Sequence, residues 1–496
     1  MRALALLALL LAACGQESPP RVGPPARHEI RPTDGTGWNN NGYGSVTVSH
    51  HDSPGGKFRV HYTLEGTHAV PATDADSDGT PDYVSELALV FDQVYAKEIT
   101  DLGFWPPLDD SVYHDRPDYG GDGRFDVYLQ DIQNGDGYVV VEACKPNVPY
   151  QCAGYMMVEN DFAGLSYPTP HDGMEVVASH EFFHVIQNAY RTDLARTFSE
   201  ATAVWATEQV FPQQQDYEKF IASYFKEPDR SLDDDGGPPS DTFPYGLAVW
   251  PAFLSQHYGA RLLPAIFEEL SDKGSSVNDL DAIDKVLARD QKSSLAEAFT
   301  TFALWNLMTG TRAPGFSGYA DATSYPELAV QAVQGGALPL RITDEIAYLS
   351  ARYYRISVAK GSWIKVTSER PQPKLALHLV TWPAADKPTV VSGAVDEALE
   401  IASAGEVLIV AASTARSDNQ LPLSLAVTES TPPSPPPNPS DAADDGGCAL
   451  APRNAGGAWI SLFLLLLVFR QAQRRRGGLD APRTGRYARH GTDCIE

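Results

Sequence analysis

The chain has 496 residues, 43% of them hydrophobic and 21% charged. That excludes wholesale disorder and is too long for one ordinary core, so two or three compact units are expected. A formal net charge of −26 argues against a partner bound through its phosphate backbone, and nucleic acid is excluded as a partner class. Five cysteines are too sparse for a disulfide-built scaffold.

At the N-terminus one arginine precedes the apolar stretch 3–13, the layout of an export signal that is too short to span a bilayer as a helix. The stretch ends in Leu11-Ala12-Ala13-Cys14, which resembles a bacterial lipobox. Residues 1–13 then form a lipoprotein signal peptide, Cys14 carries the lipid, and 14–28 are a proline-bearing tether.

Residues 29–334 read as one domain. The alternating segment 58–64 (FRVHYTL) predicts a strand, and 82–102 predicts a helix with Val84, Leu87, Leu89, Val90 and Val94 on its apolar face and Gly103 as its stop. Further strands are expected at 125–130, 137–142 and 155–158. Between the last two, Cys144 and Cys152 bracket a short loop, CKPNVPYQC; with the other cysteines near the termini and an oxidising location, a disulfide is expected there. A metal pair is the alternative, with the wrong spacing and no Cys or His nearby. From 175 to 307 the pattern is mostly helical: 175–190, 201–210, 216–225, 246–258, 261–270, 280–287 and 295–307. Behind Gly335 the period changes to two, with strands at 353–358, 363–367, 375–382, 406–412 and 423–427, predicting a β-sandwich over 335–428. The expected fold class is therefore α+β, a twisted sheet with a helical half followed by a small sandwich.

Residues 429–447 are a Pro/Asp-rich linker that cannot pack a core. The apolar run 456–469 has 14 residues and reaches about 21 Å, short of a hydrocarbon core of about 30 Å. Arg470, Arg474, Arg475 and Arg476 follow it as a positive, cytoplasmic flank. Cysteine after glycine at Cys448, a short apolar run and an arginine cluster resemble the myxobacterial C-terminal sorting signal, which implies that segment 448–476 is removed after export. A permanent single-pass anchor is the alternative, and the unassigned tail 477–496 departs from the sorting pattern. Either way the expected location is exported and lipid-anchored, at the cell envelope or surface, with the membrane as a partner.

The chemistry lies in Val176-Val177-Ala178-Ser179-His180-Glu181-Phe182-Phe183-His184. Four residues apart on a helix, His180 and His184 project from one face at a spacing two ligands of a tetrahedral zinc can use. Glu181, on the adjacent flank, is placed to take a proton from a water activated by the metal. The surrounding residues are apolar, so the helix is buried and its polar groups need a partner. A third ligand is required. Tyr190 and Gln187 stand where the metzincin motif needs histidine and glycine, so that motif is absent. TFSEATAVWATE resembles the gluzincin segment that puts a glutamate on the next helix, which implies Glu200 as the ligand and Glu208 as the fallback; the rival reading makes Thr197 and Glu200 a capping box. Tyr245, before a helix and after a Gly/Pro/Asp-rich loop, is the expected oxyanion stabiliser, with His257 as its rival. Asp74, Asp76, Asp78 and Asp82 alternate around Gly79 like the start of an EF-hand calcium loop, although position twelve is Ser85 and the nearest acid, Glu86, comes one residue late. Gly120–Asp126 (GGDGRFD) is a weaker second loop of this kind.

HEFFHVIQ, SEATAVWATE and YGLAVWPAFLSQHYG in that order, with DGTPDYV and DVYLQD before them, resemble gluzincin-type HExxH zinc metallopeptidases of myxobacterial surface proteins over about 58–312. The resemblance implies a zincin-like catalytic domain, His180, His184 and Glu200 as zinc ligands, Glu181 as base, and a peptide or protein substrate. The alternatives are an inert surface adhesion module and a zinc hydrolase of a non-peptide substrate.

Overall fold

The computed structural model describes residues 31–33, 42–109, 121–132, 135–238, 240–273, 277–335, 337–370, 372–394, 398–417 and 420–432. The signal peptide, Cys14, the tether and the segments from 433 onward lie outside the described residues. Among the described residues no helix is long and apolar enough to cross a membrane.

The fold is α+β. Strands β1 (Ser49–Asp52), β2 (Phe58–Tyr62), β3 (Phe125–Gln130), β4 (Gly137–Lys145) and β5 (Val148–Glu159) form one sheet in the order β1-β2-β3-β5-β4. The β2–β3 and β3–β5 pairs are parallel; β1 and β4 are antiparallel edge strands. Helix α1 (Asp82–Tyr95) connects β2 to β3, and the predicted helix 82–102 changes to a π-helical turn at Ala96–Asp101. The CKPNVPYQC segment is a tight hairpin, because β4 and β5 extend to Lys145 and Val148, and Cys144 and Cys152 are opposed across it and joined by a disulfide.

Every residue of β3 is buried, because both faces of the sheet are covered. Phe125, Val127 and Leu129 point into the helical core. On the other face the Arg31 guanidinium, itself fully buried, pairs with Asp126 (2.7 Å) and Glu142 (2.6 Å), and His61 Nε2 lies 2.7 Å from Asp126 Oδ1. The helical half follows: α2 (Pro170–Tyr190), α3 (Arg196–Val210), α4 (Asp216–Lys226), α5 (Phe243–Gly246), α6 (Val249–Tyr258), α7 (Leu262–Lys273), α8 (Asp279–Val286) and α9 (Leu295–Leu307). The expected helix 246–258 is two, α5 and α6.

The last region is a two-sheet sandwich. Strands β6 (Gln331–Ala332), β8 (Ala351–Ser357), β10 (Leu375–Ala384), β11 (Lys387–Ala394) and β13 (Glu406–Ser413) form one sheet; β7 (Leu340–Ile346), β9 (Trp363–Ser368), β12 (Leu399–Ala402) and β14 (Leu421–Ser430) form the other. Strand β13 is buried on both faces, since Leu408, Val410 and Ala412 join the helical core while Val407, Ile409 and Ala411 fill the sandwich. Tyr353 donates to the Ala303 carbonyl (3.0 Å), and His378 Nε2 lies 2.9 Å from that of Thr300, tying this sheet to α9. The sandwich strands missing from the sequence-based expectation, β6, β7, β11 and β12, are the edge strands of the two sheets, and the partly exposed β11 lacks a clean apolar alternation.

Candidate metal centre

Helix α2 starts earlier than its apolar run suggests. Thr169 caps it by accepting from the Asp172 amide (3.2 Å), and Pro170 occupies the first turn, where its missing N–H costs nothing. The helix then runs between the sheet and α3, so nearly all of its residues after Asp172 are buried. The cap of α3 is not the box read from Thr197 and Glu200. Its first residue has no side-chain cap bond; instead the Asp235 carboxylate accepts from the amides of Thr197 (2.8 Å) and Arg196 (3.2 Å). Glu200 is thereby left for another role.

That role is convergence on the histidines. His180 Nε2 and His184 Nε2 are 3.2 Å apart, and Glu200 Oε2 is 3.3 Å from the first and 3.6 Å from the second. Ligands held about 2.0–2.1 Å from a tetrahedral metal stand about 3.3–3.4 Å from one another, so the triangle has the size of three zinc ligands. Glu200 is wholly buried, and among the described residues neither of its carboxylate oxygens has a hydrogen-bond partner. An orphaned buried carboxylate facing two imidazole nitrogens is what a site for a cation looks like when read from its donors alone. The His180 and His184 side chains keep 8% and 12% of their surface exposed, which leaves an approach from solvent.

The electrostatics agree. Burial works to raise the Glu200 carboxyl, yet the His184 and His180 imidazoles hold it well below its ordinary value. Burial works to lower His184, but the Glu200 charge outweighs it and pushes His184 up to about 9.

Glu208 is not part of the triangle. It is two turns along α3 and half-buried; burial, with Glu218 and Asp321 nearby, raises it to about 8. Tyr245 does border the site, its ring stacked on His180 at 6.1 Å between centroids and on Phe220 at 5.0 Å. His257 is exposed and packs on the rings of Phe253 and Trp305.

Three residues around the site escaped the sequence reading. Gln187 Oε1 meets His184 Nδ1 at 2.9 Å, and its i+3 spacing was the available signal. Gly137 opens β4 directly against the general-base candidate: a Cβ there would lie 2.8 Å from Glu181 Cγ and 2.6 Å from Val177 Cγ1. Asp136, almost fully buried, accepts a hydrogen bond from the Tyr167 hydroxyl; burial and the nearby Glu181 charge push it up to about 7, although the Tyr167 bond and His180 oppose the rise. No motif marked Asp136 or Gly137.

In the acidic loop, Asp74, Asp76 and Asp78 bring carboxylate oxygens within 4.8 Å of one another. They also accept from the loop's own amides: Asp74 from Asp78 and Gly79, Asp76 from Asp78, and Asp78 from Thr80. Asp82 holds the Ala75 amide and Glu86 pairs with His171 (2.8 Å), so neither joins the cluster.

No family model matches the chain, and no curated protein matches it. Among solved structures, 20% of the chain is similar to PliG of Aeromonas hydrophila, a periplasmic lysozyme inhibitor of g-type lysozyme, covering 96% of that chain at 19% identity and a TM-score of 0.18. A further 4-O-methyl-α-glucuronidase of family GH115, BtGH115A, with specificity for decorated arabinogalactans, is similar over 51% of this chain and 42% of its own, at 9% identity and a TM-score of 0.13. Neither likeness bears on the metal centre.

Proposed function

We propose that the protein is an exported, surface-anchored zinc-dependent peptidase of the gluzincin type, with His180, His184 and Glu200 as the metal ligands. The observation that carries this reading is the triangle of Nε2, Nε2 and Oε2 atoms, 3.2, 3.3 and 3.6 Å on its sides, with both Glu200 oxygens otherwise unbonded among the described residues. A divalent cation there also offsets a pocket that gathers the Glu181, Glu200 and Asp136 carboxyls.

Bound zinc supplies Lewis-acid activation of water and of a substrate carbonyl. The protein does the rest. Glu181, one residue after His180 and confined by Gly137, accepts the proton of the attacking water and returns it to the leaving amine. Tyr245, stacked on His180, is the proposed hydrogen-bond donor to the developing oxyanion. Strand β4 begins at Gly137, beside Glu181, and is the last of its sheet, so its outer edge offers backbone donors and acceptors to an extended peptide beside the site. This supports peptide over other substrates. A calcium ion, if one is held by the acidic loop, falls to Asp74, Asp76 and Asp78.

The test is Glu181→Gln in the full chain. It is expected to retain stoichiometric zinc while casein hydrolysis falls by roughly 10²–10⁴-fold, the usual worth of a general base. Zinc retained with hydrolysis undiminished removes Glu181 from the mechanism.

A further inference from the structure

We propose that Gln187 is a positioning residue that fixes the proton of His184 on Nδ1 and so presents its Nε2 lone pair to the metal; this rests on the zinc reading above. The Ser199 carbonyl can only accept, so the Gln187 atom 2.8 Å from it is the amide nitrogen, donating. The second amide hydrogen goes to Thr202 Oγ1 (3.0 Å), whose own hydroxyl donates to the Phe198 carbonyl (2.8 Å). With the amide oriented this way, Oε1 faces His184 Nδ1 at 2.9 Å and also takes the Ser199 hydroxyl at 2.6 Å. An oxygen opposite Nδ1 requires the proton to be there, and the other ring nitrogen, toward His180 and Glu200, is the one free to ligate.

Gln187 is 3% exposed, so these bonds are not exchanged for water at little cost. Its two ends act on different things. Oε1 orients a ligand of α2, while Nε2 ties α2 to the first turns of α3, the helix that brings Glu200. A neutral amide does this without adding a charge to a pocket that already holds several carboxyls.

The two ends can be separated by substitution. Gln187→Glu keeps the acceptor and loses the donor; Gln187→Leu loses both. Zinc affinity is measured by competition with a chelating dye, and thermal midpoints are taken on the metal-free chains. The expected result is a lowered midpoint in both variants, zinc affinity within a few-fold of wild type in Gln187→Glu, and a loss of roughly 10–100-fold in Gln187→Leu. Equal loss of affinity in both variants makes Gln187 a mere brace and overturns the proposal, as does undiminished affinity in Gln187→Leu. If the wild-type chain binds no zinc, the metal reading fails separately. The ¹⁵N shifts of the neutral His184 ring in metal-free protein then decide: the Nδ1–H tautomer upholds the assignment and the Nε2–H tautomer refutes it.

Discussion

Two regions of the molecule gather acidic and metal-ligating side chains, and they do opposite things with them. In the acidic loop the carboxylates of Asp74, Asp76 and Asp78 lie near the surface and are occupied by the amides of the turn they sit in. In the α2–α3 centre the donors come from two helices, are removed from water, and leave the Glu200 oxygens with no hydrogen bond among the described residues. Both clusters satisfy a spacing rule. What separates them is whether lone pairs remain unspent and desolvated once the chain has folded.

The sharpest way to break this comparison is to remove the buried carboxylate. Glu200→Ala is expected to lose stoichiometric zinc and with it all detectable hydrolysis, measured by metal analysis and casein digestion of the same sample. Full zinc content in that variant would move the third ligand elsewhere, and Glu208 is then the first residue to examine.

A smaller effect concerns protons. In the metal-free protein His184 titrates at about 9, raised by Glu200 against the pull of burial, so at pH 7.5 it carries a proton that zinc must displace. Glu200, held well below its ordinary value, is already ionised and releases none. Zinc binding at pH 7.5 should therefore release about one proton, seen by calorimetry in buffers of different ionisation heat. Affinity should rise roughly tenfold per pH unit toward pH 9 and then level off. Flat affinity between pH 7 and 9 would show that His184 is not protonated in the free centre.

The smallest effect is expected in the loop. Asp76→Asn, at an exposed position, should leave zinc content and hydrolysis unchanged and move stability by no more than about 0.5 kcal/mol. Loss of zinc or activity would couple the two clusters and end the contrast between them.

The candidate ligands were legible in the sequence because their geometry is local or nearly so. His180 and His184 share a face by helical period alone, and Glu200 follows after one turn into the next helix. The capping-box reading of Thr197 and Glu200 gave way because Asp235, distant in sequence, supplies the cap. Asp136 and Gly137 could not be read at all: their importance comes from β4 passing against α2, a contact made by tertiary packing. The sandwich shows the same division. Its central strand β13 was expected at 406–412, where every residue after Glu406 is buried, while the partly exposed β11 carries no such pattern.

X-ray absorption at the zinc edge, with anomalous diffraction to place the ion, tests the central claim most directly. One zinc per chain is expected, with nitrogen from His180 and His184 and oxygen from Glu200 at about 2.0–2.2 Å. A protein that takes up no zinc, or an ion found away from these three side chains, would contradict it.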